Sequence, residues 1–139
     1  MNAIVLFLLA MLTAPVLLAQ NKLIVTVEGI RGDGGSVMVG LFGNKQTFLK
    51  KATYGKVVSV QGDVIKAIFE NISPGDYGIS VIHDANNNGE LDTNSLGIPR
   101  EGFAFGNNAM GIFGPPSFDK AKITVTTGEL HQVIRVKYF

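Results

Sequence analysis

Asp84, Asn86 and Asn88 alternate along the stretch VIHDANNNGELD, Gly89 follows at once, and Asp92 closes the run as D-x-N-x-N-G-x-x-D. A hard cation needs this from a short loop. Ca²⁺ takes about six to eight oxygens at roughly 2.3–2.6 Å, and a loop supplies them from alternate positions while a glycine allows the sharp turn between them. The pattern assigns side-chain oxygens to Asp84, Asn86 and Asn88, a backbone carbonyl to Glu90, and a carboxylate to Asp92, directly or through water. It departs from the full helix-loop-helix hand in two respects. Ser95 stands where that hand has a bidentate Glu, and the flanks read as strand and loop rather than helices. A bidentate carboxylate must then come from elsewhere, with Glu101 as a possible donor and Asn94 as the source of one more amide oxygen. The competing reading is a plain polar turn, since Asn and Asp side chains readily bond their own backbone. Oxygen-bearing residues at every alternate position, with glycine at the bend, favour the cation. With two carboxylates certain in the shell, the expected affinity is weak, about 10⁻⁴–10⁻³ M, as in extracellular modules.

Other chemistries find less support. His83 and His131 are the only histidines, and neither sits in a metal-binding H-x-x-x-H or H-E-x-x-H arrangement. His83 continues the face of Tyr77, Ile79 and Val81, which predicts a hydrogen-bonded residue at the edge of a core. There is no G-x-S-x-G elbow, and no glycine-rich stretch runs into Lys-Ser or Lys-Thr, so serine hydrolase and nucleotide-phosphate chemistry lack their residues. Cysteine is absent, which removes disulfides, thiolate nucleophiles and Cys-containing zinc sites. Twelve Lys and Arg against eleven Asp and Glu give a net charge of +1, with no basic stripe to follow a phosphate backbone. Nucleic acid is not an expected partner.

The elements that must hold the loop alternate at period two. Leu23, Val25 and Val27 share one face, as do Val37, Val39 and Leu41; Ile65, Ala67 and Phe69; Tyr77, Ile79 and Val81; Ile123 and Val125; and Ile134, Val136 and Tyr138. Val57 to Val60 adds a seventh run, and turn residues such as Ser73-Pro74-Gly75-Asp76 separate the runs. Only Gln46 to Ala52 suggests a helical turn. The reading is an all-β protein, an antiparallel β-sandwich of about seven strands with one long ordered loop. That loop runs from His83 to Lys120 and carries Phe103, Phe105, Phe113 and Phe118, too aromatic for a disordered linker, so it is expected to fold onto the sandwich. Within it, Phe105, Met110 and Phe113 either form a lip that grips a ligand or plug an open end of the sandwich. A small sandwich must cover its core ends, so the plug is expected.

At 139 residues and 46% hydrophobic composition the chain is a single domain behind an apolar leader. Residues 1–19 read as a signal peptide cleaved after Ala19, although no Lys or Arg precedes the apolar run and Leu17 is large for its place before the cut. The domain then spans 20–139, is periplasmic or secreted, and has no membrane span once the leader is removed.

The stretches ISPGDYGISVIHDANNNGELD, LGIPREGFAFGNNA and FGPPSFDKAKITV together resemble a bacterial family of exported domains of unknown function (number 2141). The resemblance covers nearly all of the chain after the leader. It implies a secreted or periplasmic β-sandwich with no established activity. The step Pro74-Gly75-x-Tyr77 is similar, at the level of fold, to transthyretin-like and collagen-adhesin B-type sandwiches, some of which carry calcium loops. Two functions follow as expectations. One is a noncatalytic, Ca²⁺-binding module of the cell envelope that binds a protein, a glycan or another envelope component. The alternative is a metal-assisted hydrolase built on the loop after residue 83, with His83, Asp84 and Glu101 as its polar residues.

Overall fold

The structure, a computed structural model, describes residues 21–32 and 34–139. The signal-peptide reading of residues 1–19 lies outside the described residues.

The described residues form eight strands: β1 (Lys22–Glu28), β2 (Ser36–Phe42), β3 (Tyr54–Ser59), β4 (Val64–Glu70), β5 (Gly75–Asp84), β6 (Gly102–Phe105), β7 (Lys122–Val125) and β8 (Glu129–Arg135). One sheet has the order β4-β1-β8, and the other β3-β2-β5-β6 with β7 also paired to β5. Period-two alternation gives each sheet one apolar face, and the two faces meet. Leu23, Val25 and Val27 stand opposite Phe69, Ala67 and Ile65 in one sheet. Val39 and Leu41 stand opposite Val81 and Ile79 in the other. All of these are buried in a common core.

The all-β sandwich is as expected, with two refinements. β6 pairs with Ser80–His83 and β7 with Gly75–Gly78, so they lie end to end along β5 and share one strand position. β1 and β8 run parallel. The N–H of Lys22 donates to the carbonyl of Gly128 (3.0 Å), which starts β8 beside the start of β1 and sends it the same way.

The last apolar run is not one strand. β8 ends at Arg135, and the chain crosses to the other sheet, where Lys137 exchanges both backbone hydrogen bonds with Phe103 (2.8 and 3.0 Å). That crossing seals one side of the sandwich. On the opposite side the free edges of β3 and β4 leave two shallow grooves, of about 270 and 390 Å³, lined by residues such as Tyr54, Lys56 and Phe69 in one and Val58, Ile65 and Lys66 in the other.

The long segment after β5 does fold onto the sandwich. Phe103, Phe105 and Ala121 form a second apolar cluster with Phe48. Phe48 also packs edge-on against Phe118, which opens the one-turn helix α1 (Phe118–Ala121). Gly78 makes room for this layer: a Cβ there would lie 2.8 Å from Phe48 and 2.9 Å from Phe118.

Candidate functional site

The loop begins where β5 delivers Asp84 into a buried position, 2% exposed. A carboxylate there needs donors, since an ionised group out of water is costly unless it is hydrogen-bonded. The chain supplies them by curling back. The N–H of Asn88 donates to Asp84 Oδ1 (3.1 Å) and that of Gly89 to Oδ2 (2.8 Å). Asn87 at φ 54° and Gly89 at φ 81° take the left-handed conformations that this curl demands. Gly35 allows the start of β2 to approach: a Cβ on it would lie 2.1 Å from the Asp84 carbonyl oxygen. Next to it, Ser36 donates to Asn87 Oδ1 (2.8 Å).

Two further Asx-type bonds wind the loop. Asn86 Oδ1 accepts from the N–H of Asn88 (3.3 Å), and Asn88 Oδ1 from that of Glu90 (3.0 Å). Asp92 then gathers the side chains: its Oδ2 accepts from Asn86 Nδ2 (2.7 Å) and its Oδ1 from Asn88 Nδ2 (2.8 Å). Asn86, Asn88 and Asp92 thus meet directly, with Asp84 joined through the backbone they curl. Glu90 takes part through its N–H, which donates to Asn88, and its side chain is exposed.

Glu101 holds the loop closed, and it does so through backbone groups. Only 7% exposed, it accepts from the N–H of Ala85 with Oε1 and from that of Asp92 with Oε2, both at 3.0 Å. The clamp ties the first and last turns of the loop to the residue that leads into β6. Asn94 serves the next turn: its Oδ1 accepts from the N–H groups of Leu96 and Ile98. Among the described residues no group of three or more His, Cys, Asp or Glu is placed to hold a metal ion. The cluster here mixes carboxylates with amides.

His83, one residue before the loop, is buried, and both ring nitrogens are engaged. Nε2 lies 2.9 Å from the Gly34 carbonyl, an acceptor, and so carries the proton. Nδ1 accepts from the Tyr138 hydroxyl (2.8 Å), which in turn accepts from the N–H of Arg31 (2.9 Å). The core-edge reading of His83 holds, and the Tyr138 link had no signal in the sequence beyond an apolar alternation. His131 is exposed on β8, 2.7 Å from Glu129.

The segment after β6 corrects one expectation. Phe105 is buried, but Met110 is exposed and Phe113 fully so, and neither plugs the sandwich. The segment is held instead by the side chains of Asn107 and Asn108, both exposed. Asn107 donates to the carbonyls of Lys120 and Lys122. Asn108 donates to the Val133 carbonyl and accepts from the N–H of Arg135, which occupies the free edge of β8.

Fold and loop together define a small β-sandwich domain with an ordered polar loop at the end of its longest described strand. The chain belongs to the family described as uncharacterized protein conserved in bacteria (DUF2141), which matches residues 25–133, from within β1 to within β8 and across the whole loop. Neither the curated proteins nor the solved structures give a significant match. Among the described residues no helix is long and apolar enough to cross a membrane.

Proposed function

We propose that this protein is an exported, noncatalytic module of the bacterial cell envelope whose loop 84–92 binds Ca²⁺. The observation that carries the reading is the meeting of Asn86, Asn88 and Asp92 at 2.7–2.8 Å, above an Asp84 whose carboxylate is already oriented by backbone N–H groups. A carboxylate offers about four lone-pair directions, so Asp84 and Asp92 each keep acceptor capacity beyond the bonds described. A half-turn of the Asn86 and Asn88 amides exchanges NH₂ for oxygen toward Asp92, and it gives up the bonds their oxygens accept from the N–H groups of Asn88 and Glu90, a cost the cation must offset. That arrangement of oxygens is repulsive alone and favourable around a cation. Glu101 holds both ends of the loop in place, which lowers the ordering cost of binding.

The hydrolase alternative lacks a base. Both ring nitrogens of His83 are engaged, and Asp84 and Glu101 are each oriented by two backbone N–H groups, which suits holding the loop rather than taking up a proton. The test is titration calorimetry of residues 20–139 with CaCl₂, MgCl₂ and chelator. A one-site Ca²⁺ isotherm in the submillimolar to millimolar range is expected, with Mg²⁺ much weaker because it sheds water reluctantly. Absence of Ca²⁺ heat, together with an unmoved melting curve, refutes the reading and leaves a hydrogen-bonded polar turn.

A further inference from the structure

Among the described residues β4 pairs with β1 alone, and its other edge is free. The N–H of Asn71 donates to the Asn21 carbonyl (2.8 Å), one step beyond the opposed residues Lys22 and Glu70. In an antiparallel ladder the backbone groups of successive residues point to opposite sides. Phe69, Ala67 and Ile65 therefore direct theirs at β1. Glu70, Ile68, Lys66 and Val64 aim their N–H and C=O groups at the open side of the sandwich, along the two grooves. The other free edge on this side, β3, is guarded: Lys56 shares the inward face of Tyr54 and Val58, and an inward-pointing charge deters the addition of a strand. β4 has no such guard, since its inward residues Ile65, Ala67 and Phe69 are all apolar and buried.

The outward side chains of β4 are Val64, Lys66, Ile68 and Glu70. Ile68 is 41% exposed and stands beside Ile24 of β1. Lys66 and Glu70 flank it symmetrically with opposite charge. Neither has an ion-pair partner among the described residues, and Lys22, which stands opposite Glu70, pairs with Glu129 instead. A strand of this order complements itself when reversed. Set antiparallel to a copy about a two-fold axis at Ile68, it places Lys66 opposite Glu70 of the second copy at both ends, and Ile68 opposite its own copy. The residues so opposed are those whose backbone groups face the free edge, so they can exchange both hydrogen bonds. The neighbouring registers are poorer: an axis at Ala67 sets Lys66 against Ile68 and Glu70 against Val64, and an axis at Lys66 sets that charge against itself.

We propose that β4 joins two copies of this chain, antiparallel about a two-fold axis at Ile68, so that the sheet β4-β1-β8 of one copy continues into that of the other. Main-chain hydrogen bonds of Lys66, Ile68 and Glu70 supply the affinity, as when any strand is added to a free edge. The unlike charges directly opposed across the axis set the register. The contact is isologous, using the same patch on both copies, and therefore closes as a dimer. A second copy is the occupant that fits because β4 itself carries the charge order and the apolar centre that this edge calls for. The inference goes beyond the calcium reading and does not rest on it.

The experiment uses residues 20–139, which contain every described strand and the described core, because an apolar leader can associate by itself. Sedimentation equilibrium in chelator, from micromolar to submillimolar protein, is expected to show a reversible monomer–dimer equilibrium. Lys66→Glu sets Glu opposite Glu70 of the second copy at both ends and is expected to weaken dimerisation roughly tenfold to a hundredfold, as two cross-strand pairs turn from attractive to repulsive. Lys66 is exposed, so the melting curve of the diluted, monomeric variant should match wild type. Glu70→Lys should weaken dimerisation in the same way, and the double variant Lys66→Glu/Glu70→Lys should recover it. The chain has no cysteine, so Ile68→Cys is a single probe. Residues opposed in a hydrogen-bonded pair have Cα atoms about 5.5 Å apart, within reach of a disulfide. Mild oxidation should therefore link Ile68→Cys into dimers faster than Val64→Cys. A chain that stays monomeric throughout overturns the proposal and leaves the edge to a strand of another protein. A dimer that Lys66→Glu leaves intact, that the double variant does not recover, or that cross-links through Val57→Cys on β3 rather than Ile68→Cys, overturns it as well.

Discussion

Replacing Glu101 by Gln tests whether one carboxylate keeps the polar loop shut. The carboxylate accepts from the N–H groups of Ala85 and Asp92, both at 3.0 Å. Hydrogen bonds to an ionised acceptor are worth about 1.5–3 kcal/mol each. The Gln amide keeps one acceptor oxygen and turns its NH₂ toward the other N–H, setting donor against donor, so a loss of roughly 2 kcal/mol is expected. Loss of the charge also relieves repulsion from Asp92, but a charge pair at such partly exposed separations is worth only about 0.2–1 kcal/mol, so the lost bond wins. Glu101→Ala removes both bonds, and with water replacing part of them the expected loss is about 3 kcal/mol, near 10 °C in Tm for a domain of this size. Urea unfolding with chelator present isolates the clamp from any cation, and an unchanged m-value would show that the native fold persists. If Glu101→Gln stays within about 0.5 kcal/mol of wild type, well below the magnitude of one charged hydrogen bond, the clamp contributes nothing and the loop is held by its Asx turns alone.

Under the calcium reading, Ca²⁺ at about 100 times its dissociation constant should stabilise the native state by roughly 2.7 kcal/mol; scanning fluorimetry should show that gain abolished in Asp84→Ala and kept in Asp119→Ala, which lies outside the loop. Tyr138→Phe removes a hydroxyl that donates to His83 Nδ1 and accepts from the N–H of Arg31; chemical denaturation should show a loss of about 1–3 kcal/mol. The hydrogen bond from Lys45 holds the Asp119 carboxyl below its usual value of 3.8, with the charges of Lys45 and Lys122 adding to it. Because the folded value is the depressed one, the contribution of this pair is present above the unfolded value and is lost as pH falls through the folded one. Carboxyl NMR titration should show the Asp119 midpoint rising in Lys45→Met.

Much of the sandwich is legible in local alternation, because β1, β2, β4 and β5 each turn one face to the common core. β6 escaped that test for a physical reason. All four residues of its GFAF sequence are buried, so the strand has no polar face to mark a period of two. The parallel pairing of β1 with β8 and the crossing of Lys137 to Phe103 are also beyond local pattern, since each joins residues far apart in the chain. Hydrophobic periodicity says which face is buried and is silent on which strand lies beside it.

The loop divides along the same line. Asp84, Asn86, Asn88 and Gly89 are readable because an Asx turn is completed within a few residues of its own side chain, and the backbone bonds of Asn88, Gly89 and Glu90 follow from that spacing. The Ser36 contact and the space left by Gly35 come from a different strand and leave no trace in the motif. Composition misled most at Phe113. Phe105 and Phe113 are each followed directly by glycine, yet one lies in β6 against Ser80 and the other at a turn between Gly111 and Gly114. A phenyl group is buried only where the backbone carries it against a partner surface, and the glycines at 111 and 114 fold this segment away from one. The tip is apolar because of its sequence, but it is exposed because of its turn.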